Sequence, residues 1–375
     1  MKNSFNQSFL NASYLLTLGI LTAFSLPPYN YFLINFITFS LFFIFILKKK
    51  EHFLKKRFFF FYGWIFGFGY FFSSLYWISI SLTFDENFKY FIPFSIALVP
   101  AFLGIFYGLI IYIFSFFNFK NLTNSLLIFS VIFGLIEFIR GYLFTGFPWN
   151  LIAFSFLETK IFIQILSVIG SYSFNLICIS LFVCPAIFFL KKSKKDLLIC
   201  FFFSIIALSF IVFGLLKSNN FNKIKNEKNE YLIRSISSNI SLERFFIDNE
   251  DEKIIKELVE LSKPEKNKPT IFLWPEGLIS LEGFDNIKNK RSSLFNNFGE
   301  NHFILMGVTK VKKIGDKNQY FNTVGVFDEN FNLIDDYDKI KLVPFGEFIP
   351  FEKTLQKIGL KTITNNYQSY SKGEK

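Results

Sequence analysis

Apolar residues follow two regimes along this chain. Up to residue 217 they form long, nearly unbroken runs; beyond it they come in short groups separated by charged stretches. A helix crossing a bilayer core needs roughly 20 apolar residues, and seven segments approach or exceed that length: residues 9–26, 30–47, 58–82, 90–117, 126–144, 161–190 and 197–216. Residues 1–217 therefore read as a multi-pass α-helical membrane domain, with the longer runs tilted or bent. Gly63, Gly67, Gly69, Gly104 and Gly108 fall in the third and fourth runs, where small residues let helices approach closely. Pro27-Pro28 follows the first run with no small-residue cleavage site, so that run reads as a retained span.

A polar linker at 218–230, rich in Lys and Asn, leads into a second domain at 231–375. A strand is expected at 231–238. Asp248 or Asn249 is placed to cap a helix whose apolar face is Ile254, Ile255, Leu258, Val259 and Leu261, and Pro264 ends it. Residues 270–273 read as a strand, 291–298 as a helix, and 303–308, 323–327 and 333–337 as strands. Strands mixed with helices in this order predict a layered α/β domain. Chemistry in such folds gathers beyond the carboxyl ends of strands.

Composition fits the division: 51% of residues are hydrophobic and 59 are Phe, outside the range of ordinary soluble domains. The net charge of +11 would suit a nucleic-acid binder if it were spread over the soluble part. Lys plus Arg against Asp plus Glu is 16 to 6 up to residue 217 but 24 to 23 after it, so no nucleic acid is expected as partner. The excess marks topology instead. Lys2, Lys48-Lys49-Lys50, Lys55-Lys56-Arg57, Lys120 and the Lys191–Lys195 cluster occupy alternate loops, whereas the opposite loops hold Lys89 and Lys160. By the positive-inside rule the N-terminus is cytoplasmic, and seven spans deliver the second domain to the outer side.

Charges inside a span are costly and draw attention. Glu137 and Arg140, three apart on one helical face, read either as a headgroup or substrate contact or as an intrahelical ion pair that orders the next loop, Thr145-Gly146-Phe147-Pro148-Trp149-Asn150. Cys178, Cys184 and Cys200 all lie in the last two runs and read as small buried hydrophobes. His52 and His302 are far apart, and no metal site is indicated.

In the second domain Trp274-Pro275-Glu276 puts an acid at the end of a buried strand, with Lys339 63 positions later and Glu347 71 positions later. Taken singly, Glu276 and Lys339 read as surface charges. Glu347 differs, because Leu342-Val343-Pro344-Phe345-Gly346-Glu347-Phe348-Ile349-Pro350 is too apolar and constrained for a solvated loop. A carboxylate there needs a cationic or hydrogen-bonded partner, whether for catalysis or as a structural ion pair.

Taken together the sequence resembles the apolipoprotein N-acyltransferases, membrane-bound members of the nitrilase superfamily. The resemblance rests on Leu26-Pro27-Pro28, Gly67-Phe68-Gly69-Tyr70-Phe71 with Tyr76-Trp77, and Glu137 through Arg140-Gly141 to Gly146-Phe147-Pro148-Trp149-Asn150. In the second domain it rests on Trp274-Pro275-Glu276, Tyr320 with Asn322-Thr323, and Tyr337-Asp338-Lys339 running into 342–348. It implies that residues 231–375 are the N-terminal part of a nitrilase-like αββα sandwich, a carbon–nitrogen hydrolase domain incomplete at its C-terminus. It also implies a ping-pong reaction in which a membrane phospholipid acylates a cysteine and the α-amino group of a diacylglyceryl apolipoprotein takes the acyl chain. Under it Glu276 is the general base and Lys339 the oxyanion stabiliser. Glu347 and Asn322 support them. The resemblance further implies that no cofactor is needed, that the protein is a monomer, and that it resides in a bacterial cytoplasmic (inner) membrane with its catalytic domain on the periplasmic side.

Two departures stand out. Where the family has Pro-Gln and then a tryptophan, Asn239-Ile240 is followed by Ser241-Leu242, and Phe246 takes the aromatic place. The family's nucleophile lies in a Cys-Tyr-Glu segment downstream of a turn to which Tyr370-Ser371-Lys372-Gly373 corresponds. The chain thus reads as a C-terminally truncated member, inactive by itself for want of the nucleophile. Two alternatives are a different membrane-tethered nitrilase-type amidase and a non-catalytic membrane binding or assembly protein.

Overall fold

A computed structural model of the chain describes residues 2–51, 55–83, 86–118, 121–190, 193–224, 230–239, 251–277, 279–290, 292–315, 317–344, 346–350, 352, 357 and 369–374. It divides into two compact units, Met1–Asn226 and Glu227–Lys375. His52, Lys120, Lys191, Lys192, Phe345, the Asp248 and Asn249 caps, and the Ser241–Phe246 arm fall outside the described residues.

The first unit is helical: α1 (Lys2–Ala23), α2 (Leu33–Glu51), α3 (Lys56–Leu75), α4 (Ile92–Phe114), α5 (Leu122–Tyr142), α6 (Leu166–Val183), α7 (Ala186–Phe189) and α8 (Lys194–Ile224). Among the described residues, five helical stretches are long and apolar enough to cross a membrane by length and composition: Lys56–Thr83, Lys89–Phe114, Leu122–Tyr142, Phe162–Phe189 and Lys194–Asn220. α1 and α2 cover the first two apolar runs. The expected linker begins later than its composition suggested, because α8 continues through Lys217 to Ile224.

Glycines set the closest helix approaches in this unit. A Cβ on Gly67 would lie 2.6 Å from Tyr107 Cβ, and one on Gly108 would lie 2.8 Å from the Phe60 ring, so α3 and α4 interlock. Gly69 does the same between α3 and α1. Lysine ammoniums meet the carboxyl end of α4, where orphan carbonyls and the helix dipole favour cations: Lys50 Nζ donates to Phe114 O at 3.2 Å, and Lys56 Nζ donates to Ser115 O.

The second unit is a six-stranded sheet in the order β1-β2-β4-β5-β6, with β3 also paired to β4. The strands are β1 (Leu232–Ser235), β2 (Thr270–Leu273), β3 (Ile279–Ser280), β4 (His302–Ile314), β5 (Lys317–Phe327) and β6 (Leu333–Asp338). β1, β2 and β4 run parallel; β4, β5 and β6 are antiparallel. Helices α9 (Asp251–Ser262) and α10 (Leu281–Lys290) cover one face. There Ile254, Ile255, Leu258 and Phe284 join Phe272, Ile304, Met306, Val308 and Phe327 in the core. Side chains alternate along each strand, so Leu273, Leu305, Val324 and Asn322 face the other side.

Four expectations are corrected here. The helix expected at 291–298 is α10, ten residues earlier, followed by a 3₁₀ turn at Ser292–Phe295. Its N-cap is Ser280, whose Oγ accepts the Gly283 N–H at 3.0 Å. Leu261 is 41% exposed, so it leaves the apolar face expected of α9. Ser262 is buried in its place, donating to Leu258 O and accepting the Trp274 indole N–H at 2.9 Å. Strands β4 and β5 extend far beyond 303–308 and 323–327, because the polar residues 310–322 pair in continuous register from Lys310↔Phe321 to Ile314↔Lys317. The strand expected at 231–238 is confined to Leu232–Ser235.

Candidate active site

The site grows from the carboxyl ends of the parallel strands. Beyond β2 the Trp274 N–H donates to Leu305 O at 2.8 Å, prolonging the ladder by one bond. Pro275 has no N–H to continue it, and Gly277 turns the chain at φ +72°. Glu276 is thereby lifted off the sheet edge over β4. Gly307 makes room: a Cβ there would stand 2.6 Å from Glu276 Cα. The sequence reading passed over Gly307, although a glycine inside a strand pattern signals a close backbone approach.

Asn322 comes from β5, opposite Thr309 of β4, and its carbonyl accepts the Lys339 N–H at 2.8 Å just past β6. Glu347 comes from the loop after Lys339. That loop closes on itself: Glu347 N–H donates to Val343 O at 2.8 Å and Val343 N–H donates to Glu347 Oε2 at 2.7 Å. The chain order thus delivers four polar side chains from four segments to one place.

They meet around shared atoms. Glu347 Oε1 accepts Lys339 Nζ at 2.7 Å and Asn322 Nδ2 at 2.6 Å. Glu276 Oε1 accepts Asn322 Nδ2 at 2.7 Å and lies 3.5 Å from Lys339 Nζ. Exposure separates the two acids: the Glu347 side chain is 11% exposed and that of Glu276 63%. Glu347 is consumed by its three donors, whereas Glu276 faces an open cavity of about 390 Å³. Leu273, Leu305, Gly307, Val324 and Tyr337 line that cavity with Glu276, Asn322 and Lys339. Tyr337, next to Asp338-Lys339 in sequence, takes its place in the wall by pairing with Val324.

The electrostatics are those of a fixed ammonium. Burial works to lower the Lys339 pKa, but the hydrogen bond to Glu347 and the nearby charge of Glu276 outweigh it and raise it above the ordinary lysine value. Burial works to raise the Glu347 pKa, but Lys339, the Val343 N–H and Asn322 outweigh it and hold its carboxyl below the usual range. Next door, Asp338 accepts Thr323 Oγ1 at 2.6 Å, Lys310 Nζ at 2.7 Å and Lys312 Nζ at 2.9 Å. The acidic run at 335–338 is therefore a pinned edge strand and not a solvated loop.

Other candidates lie elsewhere. Glu137 and Arg140 pair at 2.9 Å in α5, fully buried, and Arg140 Nη1 donates to Phe147 O at 2.7 Å and Trp149 O at 3.0 Å. This is the ion pair that orders the following loop. The three cysteines are free and buried in the helical unit. His302 is buried against backbone: Nδ1 accepts the Gly299 N–H at 3.1 Å, and Nε2 lies 3.1 Å from Lys268 O.

A family model described as the apolipoprotein N-acyltransferase N-terminal domain matches residues 18–184. Curated relatives match across both units. Apolipoprotein N-acyltransferase of Rickettsia typhi is 30% identical over 361 residues, covering 95% of this chain and 69% of that protein. The Brucella melitensis protein of the same name is 28% identical over 321 residues, 83% of this chain and 59% of that protein. That of Rhizobium leguminosarum bv. trifolii is 26% identical over 361 residues, 92% and 67%. The chain thus spans about three-fifths to two-thirds of the length of these relatives. With both units matched in order and at this identity, the chain belongs to the apolipoprotein N-acyltransferase family.

Proposed function

We propose that this chain carries the base and oxyanion side of an acyl-transfer site that moves an acyl chain from a membrane phospholipid to the α-amino group of a diacylglyceryl-cysteine apolipoprotein. Its setting is a bacterial inner membrane, with the helical unit spanning the bilayer and residues 231–375 on the periplasmic side. The observation that carries this reading is the convergence of Glu276, Asn322 and Lys339 on one open cavity, with Glu347 bonded to the latter two. The names of the relatives supply the substrate class.

Each group has a role that its surroundings suit. Glu276, the exposed acid, takes the proton from the attacking thiol. The thiolate adds to the acyl carbonyl, and Lys339 meets the oxyanion that forms, a hydrogen-bonded cation being worth most where charge develops. Collapse expels the lysophospholipid alkoxide, which takes up a proton, and leaves a thioester. With Glu276 deprotonated again, the apolipoprotein amine attacks that thioester through a second oxyanion, gives a proton to Glu276, and the thiolate leaves. Asn322 and Glu347 hold the geometry, because Glu347 occupies one ammonium proton and keeps Nζ near the cavity. Cys178, Cys184 and Cys200 are free and buried in the helical unit and take no part in this reading.

The test is a chimera in which this chain replaces the matching 361-residue stretch of the Rickettsia typhi relative. It is given acyl-labelled phospholipid and a diacylglyceryl-cysteine peptide, and the N-acylated peptide is weighed. Transfer is expected, falling with Glu276→Gln or Lys339→Met. No transfer, or transfer indifferent to both substitutions, overturns the reading.

A further inference from the structure

We propose that residues 370–373 form a backbone clasp that fixes the spacing of the Lys339–Glu347 pair, with Gly373 as the residue that closes it. This deepens the reading in which Lys339 meets the oxyanion, and rests on it for the chemical consequence alone.

The geometry is a strap with four fastenings. Tyr370 N–H donates to Glu347 O at 2.7 Å, Ser371 N–H to Tyr320 O at 2.6 Å, and Gly373 N–H to Lys339 O at 3.0 Å. The Tyr370 hydroxyl shares a hydrogen bond of 2.9 Å with Thr309 Oγ1. Those anchors lie on the loop that carries Glu347, on β5 two residues before Asn322, on Lys339 itself, and on β4 opposite Asn322. One four-residue stretch therefore ties the backbones of both members of the ion pair, three residues apart on the strap. A long lysine side chain loses rotamer freedom when it is fixed, so a fixed main chain is what presents Nζ reproducibly.

Gly373 is buried while Lys372 is exposed, so the strap lies against the sheet edge on one side only. Its contact leaves no space for a side chain. A Cβ at position 373 would stand 2.7 Å from the Asp338 carbonyl carbon and 2.9 Å from Asp338 Cβ, closer still to the carbonyl oxygen. Asp338 is kept from receding by its pairing with Thr323 in the β5–β6 ladder and by Thr323, Lys310 and Lys312, which hold its carboxylate. Even Gly373→Ala must then lift the strap or shift Lys339.

The experiment reads Lys339 directly, without any turnover. The purified 375-residue chain in detergent is treated with trace isotopic acetic anhydride from pH 7 to 10, and acetylation of Lys339 is compared with that of Lys288. Lys288 is held by Phe331 O and Asn332 Oδ1, away from the strap. Gly373→Ala is expected to raise the Lys339-to-Lys288 ratio at pH 8–9 at least about threefold and to move the Lys339 profile to lower pH. An unchanged Lys339 profile in a variant whose Lys288 is also unchanged overturns the proposal. If the variant unfolds, both lysines rise together, and amide hydrogen exchange on the unaltered chain decides. Slow exchange at Tyr370, Ser371 and Gly373 sustains the clasp; exchange at the free-chain rate overturns it. Should the lysine respond while the chimera still transfers acyl chains at full rate, the clasp stands and the oxyanion role of Lys339 falls.

Discussion

Two carboxylate–cation clusters in this molecule use the same chemistry to opposite ends. In the helical unit Glu137 and Arg140 are essentially inaccessible, 1% each. The guanidinium spends its donors on Glu137, Phe147 O and Trp149 O, and lies over the Phe71 and Phe147 rings. The Tyr70 hydroxyl adds a bond of 2.9 Å to Asn150 O, so the 147–150 loop is sewn to α3 and α5. In the α/β unit the Lys339 side chain is 34% exposed and shared between two acids, of which only Glu347 is enclosed. The first cluster is shut away from solvent and fastens a loop, although Glu137 Oε1 and Arg140 Nε are buried without a hydrogen-bond partner among the described residues. The second leaves a carboxylate and part of an ammonium facing a cavity, which is what reactivity requires. Burial, not residue type, separates the two.

The comparison breaks if the open cluster proves inert. In the active chimera Glu276→Gln is expected to lower acyl transfer by about 10²–10⁴-fold, the usual weight of a general base. The unfolding midpoint of the α/β unit should stay within about 0.5 kcal/mol, because Glu276 is exposed. A large stability loss with unchanged turnover would make it a second fastener.

The closed cluster should behave in reverse. Arg140→Met leaves Glu137 charged and unpartnered among apolar residues, and breaking a buried pair this way costs about 3–5 kcal/mol. Thermal unfolding of the helical unit in detergent checks this. Glu137→Gln combined with Arg140→Met removes both charges and should recover part of that loss. If the single variant is as stable as the parent, the cluster is not what holds the loop.

Acidity sharpens the contrast within the α/β unit. The folded pKa of Glu347 is held below its unfolded value, so its contribution is present above the ordinary carboxylate range and lost as pH falls through the folded value. Asp338 adds to the same limb: burial opposes its ionised form, but Lys310, Thr323 and Lys312 outweigh it and lower its pKa. Lys339 has the opposite sign, contributing fully below its unfolded pKa and losing that contribution as pH rises through the raised folded one. Stability should plateau across neutral pH and decline in acid, and Glu347→Gln should flatten part of that decline in a midpoint-versus-pH series. An unchanged acid limb would deny the pair any net effect.

The smallest effect belongs to the exposed end of the lysine ladder. Lys312 is 49% exposed, and Lys312→Ala should cost under about 1 kcal/mol, shrinking further at high salt. A larger loss in chemical denaturation would mean that the Asp338 network is tighter than its exposure suggests.

How much of this was legible beforehand depended on range. The apolar runs appear as helices because length and hydropathy are local, and β2 at Thr270–Leu273 appears where its four residues announced it. Glu276 could be placed at a strand end for the same reason. Helix α10 escaped because its apolar stripe is only three residues, Leu281, Phe284 and Ile287, of which Phe284 alone is fully buried. The long β4–β5 hairpin escaped because Lys310–Lys313 and Asn318–Gln319 look like loop; cross-strand pairing, not hydrophobicity, makes them strand.

The sequence by itself determined the two-regime architecture and the residue types at the site, since both are written in local runs and short motifs. Only the tertiary structure decided which acid is enclosed and which faces the cavity. Glu276, Asn322, Lys339 and Glu347 are 46, 63 and 71 positions apart counting from the first, and strand order brings them to shared oxygens. The same holds for Gly307 and Gly373, whose missing side chains matter only because another segment's backbone passes within van der Waals distance. Close approach between distant segments is a property of packing, and no window of sequence contains it.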